Sequence, residues 1–168
     1  MIEQPKTINA EAFNLVDGNG RVRAGFSLDP SGEPAIILRD TEGKTRMILR
    51  LSESGQPSVT LQDSHKRPRL ILSIGEKDEP KVSLFDENSN PRIGLIVDEE
   101  GSAAVELWEE NNKAGLTLSM QKNGGGHMAI FDQEGDLPRI GFKVSQDRTA
   151  SAVLTDTENQ EVWSETSG

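Results

Sequence analysis

The stretch "LRDTEGKTRMILRL", residues 38–51, sets two short apolar runs around the turn-forming Asp-Thr-Glu-Gly. Nearly the same phrase returns as "LFDENSNPRIGLIV", residues 84–97, and again as "IFDQEGDLPRIGFKV", residues 130–144. The acidic residue after each first run marks the repeat: Asp17, Asp40, Asp63, Asp86, Glu109, Asp132 and Asp156. The first five intervals are 23 residues and the last is 24. Seven copies at a fixed period indicate a repeat architecture, in which each unit buries its apolar side only against its neighbours.

Within each copy the apolar positions alternate. Leu15, Leu38, Leu61, Leu84, Leu107, Ile130 and Leu154 stand two residues before the acid. Beyond the turn a second set follows, for example Met47, Leu49 and Leu51, or Leu70, Leu72 and Ile74. Period two is the mark of a strand with one apolar face, and no segment holds a helical period. The turns agree. "DGNGR" and "DTEGK" put Gly where a tight turn needs positive φ, with an Asp to bond the turn's own N–H groups. "PSGEP", "ESGQP" and "KDEP" end in a Pro suited to a strand start. The chain is all-β, two strands and two turns to each repeat.

Two stackings fit. A parallel solenoid would pile seven like carboxylates into one column, about 4.8 Å apart, which repel. An antiparallel meander keeps like charges two strands apart. If Leu38 faces Met47 across the turn, Ile36 faces Leu49 and Asp40 faces Thr45. The same count matches Leu61 with Leu70, Leu84 with Ile93 and Leu107 with Leu116. All apolar residues then share one face, so the meander is preferred. It gives about fourteen short strands, and a sheet of that size with one apolar face has to close or pack. A shallow barrel or flattened ring is expected, or else a multi-chain assembly, built from residues 13–164, with residues 1–12 and 165–168 as tails.

The phrase L-x-D-x-x-G-x-x-R with its partner turn x-G-x-P resembles a class of bacterial tandem-hairpin proteins. It is also similar to the β-flower fold, a shallow barrel with hairpin petals, and its D-x-x-G-[KR] element resembles the YD repeats of Rhs-type shells. The β-flower resemblance implies a lipid-like ligand in the barrel, by analogy with the tubby fold.

Composition narrows the functions. The 168 residues carry 18 Lys and Arg against 28 Asp and Glu, a formal net charge of −10, which disfavours nucleic acid and anionic lipid. Hydrophobic residues make up 33 % and aromatic residues 4 %, so regular placement has to supply the core. There is no cysteine, hence no disulfide or zinc–thiolate site. The N-terminus shows no basic segment leading into an apolar run, which favours the cytoplasm over export, and no run is long enough for a transmembrane helix. His65 and His127 are expected in turns at opposite ends of the strands, and two histidines without cysteine suggest no transition-metal centre. Single turn carboxylates beside basic residues cap turns rather than bind calcium. "GNG" and "NGGG" precede no helix and so make no phosphate loop. No nucleophile, base or metal set appears, so no enzyme and no cofactor are expected.

The face opposite the leucines holds the candidate site. Phe85, Trp108 and Phe131 precede their acids in three consecutive repeats, and the simple register sets Arg92 opposite Phe85 and, allowing for the extra residue in that repeat, Arg139 opposite Phe131. Arginine, tryptophan and phenylalanine are common interface anchors. Ile37, Ile48 and Ile71 form a second outward group. The expected function is a structural or interaction protein that self-associates or binds another protein or a glycan through this face. The alternative is a carrier of a hydrophobic, lipid-like ligand in the apolar interior.

Overall fold

The computed structural model describes residues 7–110, 113–132, 137–158 and 160–167. Fourteen strands follow one another: β1 (Ala12–Val16), β2 (Val22–Leu28), β3 (Pro34–Arg39), β4 (Thr45–Leu51), β5 (Pro57–Gln62), β6 (Pro68–Ile74) and β7 (Pro80–Phe85). Then come β8 (Pro91–Val97), β9 (Ala103–Trp108), β10 (Ala114–Met120), β11 (Gly126–Phe131), β12 (Pro138–Val144), β13 (Ala150–Thr155) and β14 (Glu161–Thr166). They form a single antiparallel sheet in the order of the chain. The meander expected from the sequence is therefore the fold, and its register is the expected one. Leu38 pairs Met47, Ile36 pairs Leu49, Leu61 pairs Leu70, Leu84 pairs Ile93 and Leu107 pairs Leu116. Leu61 and Leu84 lie on strands separated by β6, which excludes the parallel solenoid.

One turn design serves both ends of the hairpins. At Asp40 the backbone N–H donates to the Lys44 carbonyl (2.9 Å), and Gly43 N–H donates back to the Asp40 carbonyl (3.0 Å). One carboxylate oxygen of Asp40 accepts from the N–H groups of Glu42 and Lys44. At the other end Asp29 repeats this pattern with Ser31, Gly32 and Glu33. The fourth turn residue must be left-handed. Gly43 takes φ 80°, and Lys66, Asp78, Ser89 and Arg148 adopt the same region with side chains attached. Six strands begin on proline (Pro34, Pro57, Pro68, Pro80, Pro91 and Pro138), where the missing N–H costs the ladder least.

The expected pairing of Asp40 with Thr45 does not occur, because every hairpin carries a β-bulge at its acidic end. Arg39 pairs Thr45, while Leu38 pairs Met47, which leaves Arg46 as the extra residue. Arg23, Arg69, Arg92, Gly115, Arg139 and Val162 occupy the same place in the other hairpins. A bulge bends its strand and adds local twist. Seven of them along one end of the sheet, and none at the other end, give the two ends unequal lengths of backbone.

The sheet is a single layer and is not closed. β1 pairs only with β2, and β14 only with β13. Tertiary contacts between strands join only sequence neighbours, so no second layer covers either face. Among the described hydrophobic residues only Ala35 and Ala129 are buried. The accessible surface is 11978 Å² for an 18.3 kDa chain. A compact monomer of that mass exposes about 8,100 Å². None of the helices needed to cross a membrane is present among the described residues.

Candidate functional site

Alternation divides the side chains into two faces. The arginine face is the one singled out from the sequence, and it covers itself. Its central row runs strand to strand through cross-strand pairs: Gly25 with Ile37, Ile37 with Ile48, Ile48 with Thr60, Thr60 with Ile71, and Ile71 with Ser83. Ile37, Ile48 and Ile71 are thus brought together, with Thr60 between the last two. All three are half-buried.

Phe85, Trp108 and Phe131 lie at the bulged ends of β7, β9 and β11 and are also half-buried. Their arginine partners differ from the simple register. The bulge moves Arg92 out of line, so Phe85 faces Pro91, and likewise Phe131 faces Pro138 rather than Arg139. The arginine tied to Phe85 is Arg69 of the preceding hairpin, whose Nε donates to the Phe85 carbonyl at 3.0 Å. Arg23 and Arg46 make the same reach, to the carbonyls of Arg39 (3.2 Å) and Gln62 (3.0 Å). Each bulge arginine also approaches the acid of its own hairpin: Arg46–Asp40 at 3.4 Å, Arg92–Asp86 at 3.7 Å, Arg139–Asp132 at 3.2 Å. The D-x-x-G-x-x-R spacing is therefore a structural tie. The guanidinium bridges its own turn, and in three hairpins it also reaches the next hairpin's backbone.

Trp108 has a seat prepared for it. A Cβ built on Gly94 would fall 2.1 Å from the Trp108 ring, so the indole lies across β8 at the residue that lacks a side chain. Gly94 occupies the row where other strands carry Ile37, Ile48 and Ile71. A large residue on β9 has replaced a side chain on β8.

The turn carboxylates are held ionised. At Asp63 partial desolvation pushes the pKa up, but the N–H and guanidinium of Arg67 and the N–H of His65 outweigh it and bring the group down to about 2. Asp40 and Asp86 show the same opposition, with backbone donors overcoming desolvation and lowering the pKa. Donors from Arg21 and Asn19 lower Asp17, and the Ser31 hydroxyl leads the set that lowers Asp29. A carboxylate with a depressed folded pKa contributes stability that is present above its unfolded pKa and lost as pH falls through the folded one. Thermal midpoints are therefore expected to hold steady down to about pH 4.5 and to fall steeply between about pH 4 and pH 2. Asp63→Asn should flatten part of that fall. Identical acid profiles for the variant and the parent would show that the turns do not supply it.

His65 sits in a turn as expected. His127 does not: it is a β11 residue paired with Ser119, whose hydroxyl lies 2.9 Å from its Nδ1. The two imidazoles fall at opposite ends of their strands. No cluster of three or more metal-ligating side chains occurs among the described residues.

The leucine face is the one left bare. Leu49, Leu72, Leu95 and Leu118 are 40–43 % exposed although they stand mid-sheet in mid-strand. From β1 to β13 no charged side chain points to this side among the described residues. Charge enters only on β14, where Glu165 stands beside Trp163, while the bulge at Val162 turns Glu161 to the other face, paired with Thr155. An apolar groove of about 1240 Å³ runs along the face from β4 to β13, past Leu49, Val59, Leu72, Leu95, Leu118 and Phe142. Sequence reasoning places these residues on one face, as the cross-strand pairing bears out, and expects closure of the sheet or assembly of several chains to cover them.

No family model matches the chain, and no curated protein matches it in sequence. Among solved structures it is similar to the G-box domain of the microcephaly protein CPAP, for which a role in centriole elongation was suggested. That likeness spans 91 % of this chain and 90 % of the other at 9 % identity, with a TM-score of 0.35, and carries no argument about function.

Proposed function

We propose that the protein is a non-catalytic interaction module that works through its leucine face. The observation that carries this reading is the row of mid-sheet leucines about two-fifths exposed on a chain that offers them no covering layer. Apolar patches far larger than a few hundred Å² mark association or ligand sites in soluble proteins. The arginine face, with its Phe85, Trp108 and Phe131, is in this reading the satisfied exterior. Its bulge arginines, Arg23, Arg46, Arg69, Arg92 and Arg139, are committed to backbone carbonyls and turn carboxylates. Closure into a shallow barrel or ring, with β1 laddered to β14, is the other way to shelter the leucines.

Adjacent residues of β4 give the test, because Leu49 and Arg50 point to opposite faces. Leu49→Lys should abolish binding of an apolar fluorescent dye and change the sedimentation coefficient. Arg50→Glu should leave both as they are. Equal behaviour of the two variants would remove the leucine face as the working surface. A second reading, a carrier of a lipid-like ligand, is favoured by the groove of about 1240 Å³. It predicts a monomer that extracts with bound lipid.

A further inference from the structure

We infer that the occupant of the leucine face is a second copy of this chain, laid face to face so that two single sheets become the two layers of a β-sandwich. The inference rests on the docking reading above and names its partner. Three observations carry it.

The first is area. The chain exposes 11978 Å², about 3,800 Å² more than a compact monomer of its mass. Obligate homodimers bury about 2,000–5,000 Å² in total. Shared between two partners, the upper end of that range takes about 2,500 Å² from each chain, most of the excess. A small ligand takes far less. Filling the groove would cover the row through Leu49, Val59 and Leu72 and leave the neighbouring row, through Leu38, Leu61, Leu84 and Leu107, in water.

The second is where the charge lies. A chain of net charge −10 repels its own copy unless the meeting surfaces are neutral. Here every charged strand residue from β1 to β13 points to the arginine face, so two leucine faces meet without bringing carboxylates together. The third is the border. Glu165 stands on the leucine side of the last strand, paired with Ala152. Inward-facing charges at a sheet edge block further strand addition. Glu165 bounds the patch and disfavours end-to-end growth, which leaves the face as the route of association.

A face with its border at β14 is centred near β7 and β8, and a two-fold axis through an isologous interface passes near its centre. Leu95 on β8 then lies close to Leu95 of the other copy, across layers about 10 Å apart. The chain has no cysteine, so single-cysteine variants report cleanly. Leu95→Cys, Arg50→Cys and Asn14→Cys would be treated with a short bismaleimide at low protein concentration, and native mass measured in parallel by light scattering. The expected result is a native mass twice the 18.3 kDa of the chain, with Leu95→Cys alone captured as a covalent dimer. Capture through Asn14→Cys at the β1 edge, with none at Leu95, would overturn the face-to-face pair. A native mass of one chain whose leucine face still binds apolar dye would overturn it too, while leaving the docking face intact. A single-chain mass with Leu49→Lys indistinguishable from the parent would sink both readings together.

Discussion

Leu95→Ala is expected to destabilise the protein by about 2 to 4 kcal/mol, the cost of truncating a leucine enclosed on all sides. Within one chain Leu95 is 43 % exposed, and truncation of a side chain so placed should cost no more than about 1 kcal/mol. The difference between the two figures measures what lies on top of the residue. If that cover is a second copy, the melting temperature of the parent rises with protein concentration, because association stabilises only the folded chain. Leu72→Ala should behave alike, since Leu72 is as exposed as Leu95 and lines the same groove. A cost under about 1 kcal/mol at both positions, independent of concentration, would mean that water is the only thing covering the face.

The second large effect belongs to the opposite side of the sheet. Gly94→Ala is expected to cost about 1 to 3 kcal/mol, as overpacking does. The new methyl would overlap the Trp108 ring at 2.1 Å, and the ring has to leave its seat to make room. The cost should therefore vanish in a Trp108→Ala background, where Gly94→Ala is expected to fall within about 0.5 kcal/mol of neutral. Denaturant titration of the four proteins in this cycle gives the coupling directly. Additive losses would show that the indole does not rest on β8. Trp108→Ala alone should weaken the fold, which sets it apart from an anchor held out for a partner.

How much of this could be read in the sequence depends on which interaction fixed each feature. Strand pairing was legible because apolar residues alternate on both sides of each Asp–Gly turn, and a slip of one residue would have turned every leucine over. The bulge was not legible. Arg46 occupies a position that alternation alone assigns to the strand, and only the five-residue hydrogen-bonded turn from Asp40 to Lys44 shows that a residue is left over. That error set Arg92 and Arg139 opposite Phe85 and Phe131, places that Pro91 and Pro138 occupy. The Trp108 seat did leave a signal, since "RIGLIV" has glycine where "RMILRL" has isoleucine, one strand before the only tryptophan in the middle repeats. Closure was never encoded locally. Each hairpin meets the next through the same register, so nothing in one repeat states whether the first and the last should touch.

Because tertiary contacts between strands join only consecutive ones, the molecule is a one-dimensional chain of nearly equivalent couplings. Stability then resides in the junctions and scales with their number, as in a zipper. Opening starts where a strand has a neighbour on one side only, at β1 or β14, and moves inward one hairpin at a time. The folding contacts are all short in sequence, which favours rapid acquisition of structure from any starting hairpin. The same arithmetic makes length an adjustable quantity. Removing one 23-residue unit deletes two strands and reseals an identical junction, so the span of the surface can change by whole hairpins while its chemistry stays the same.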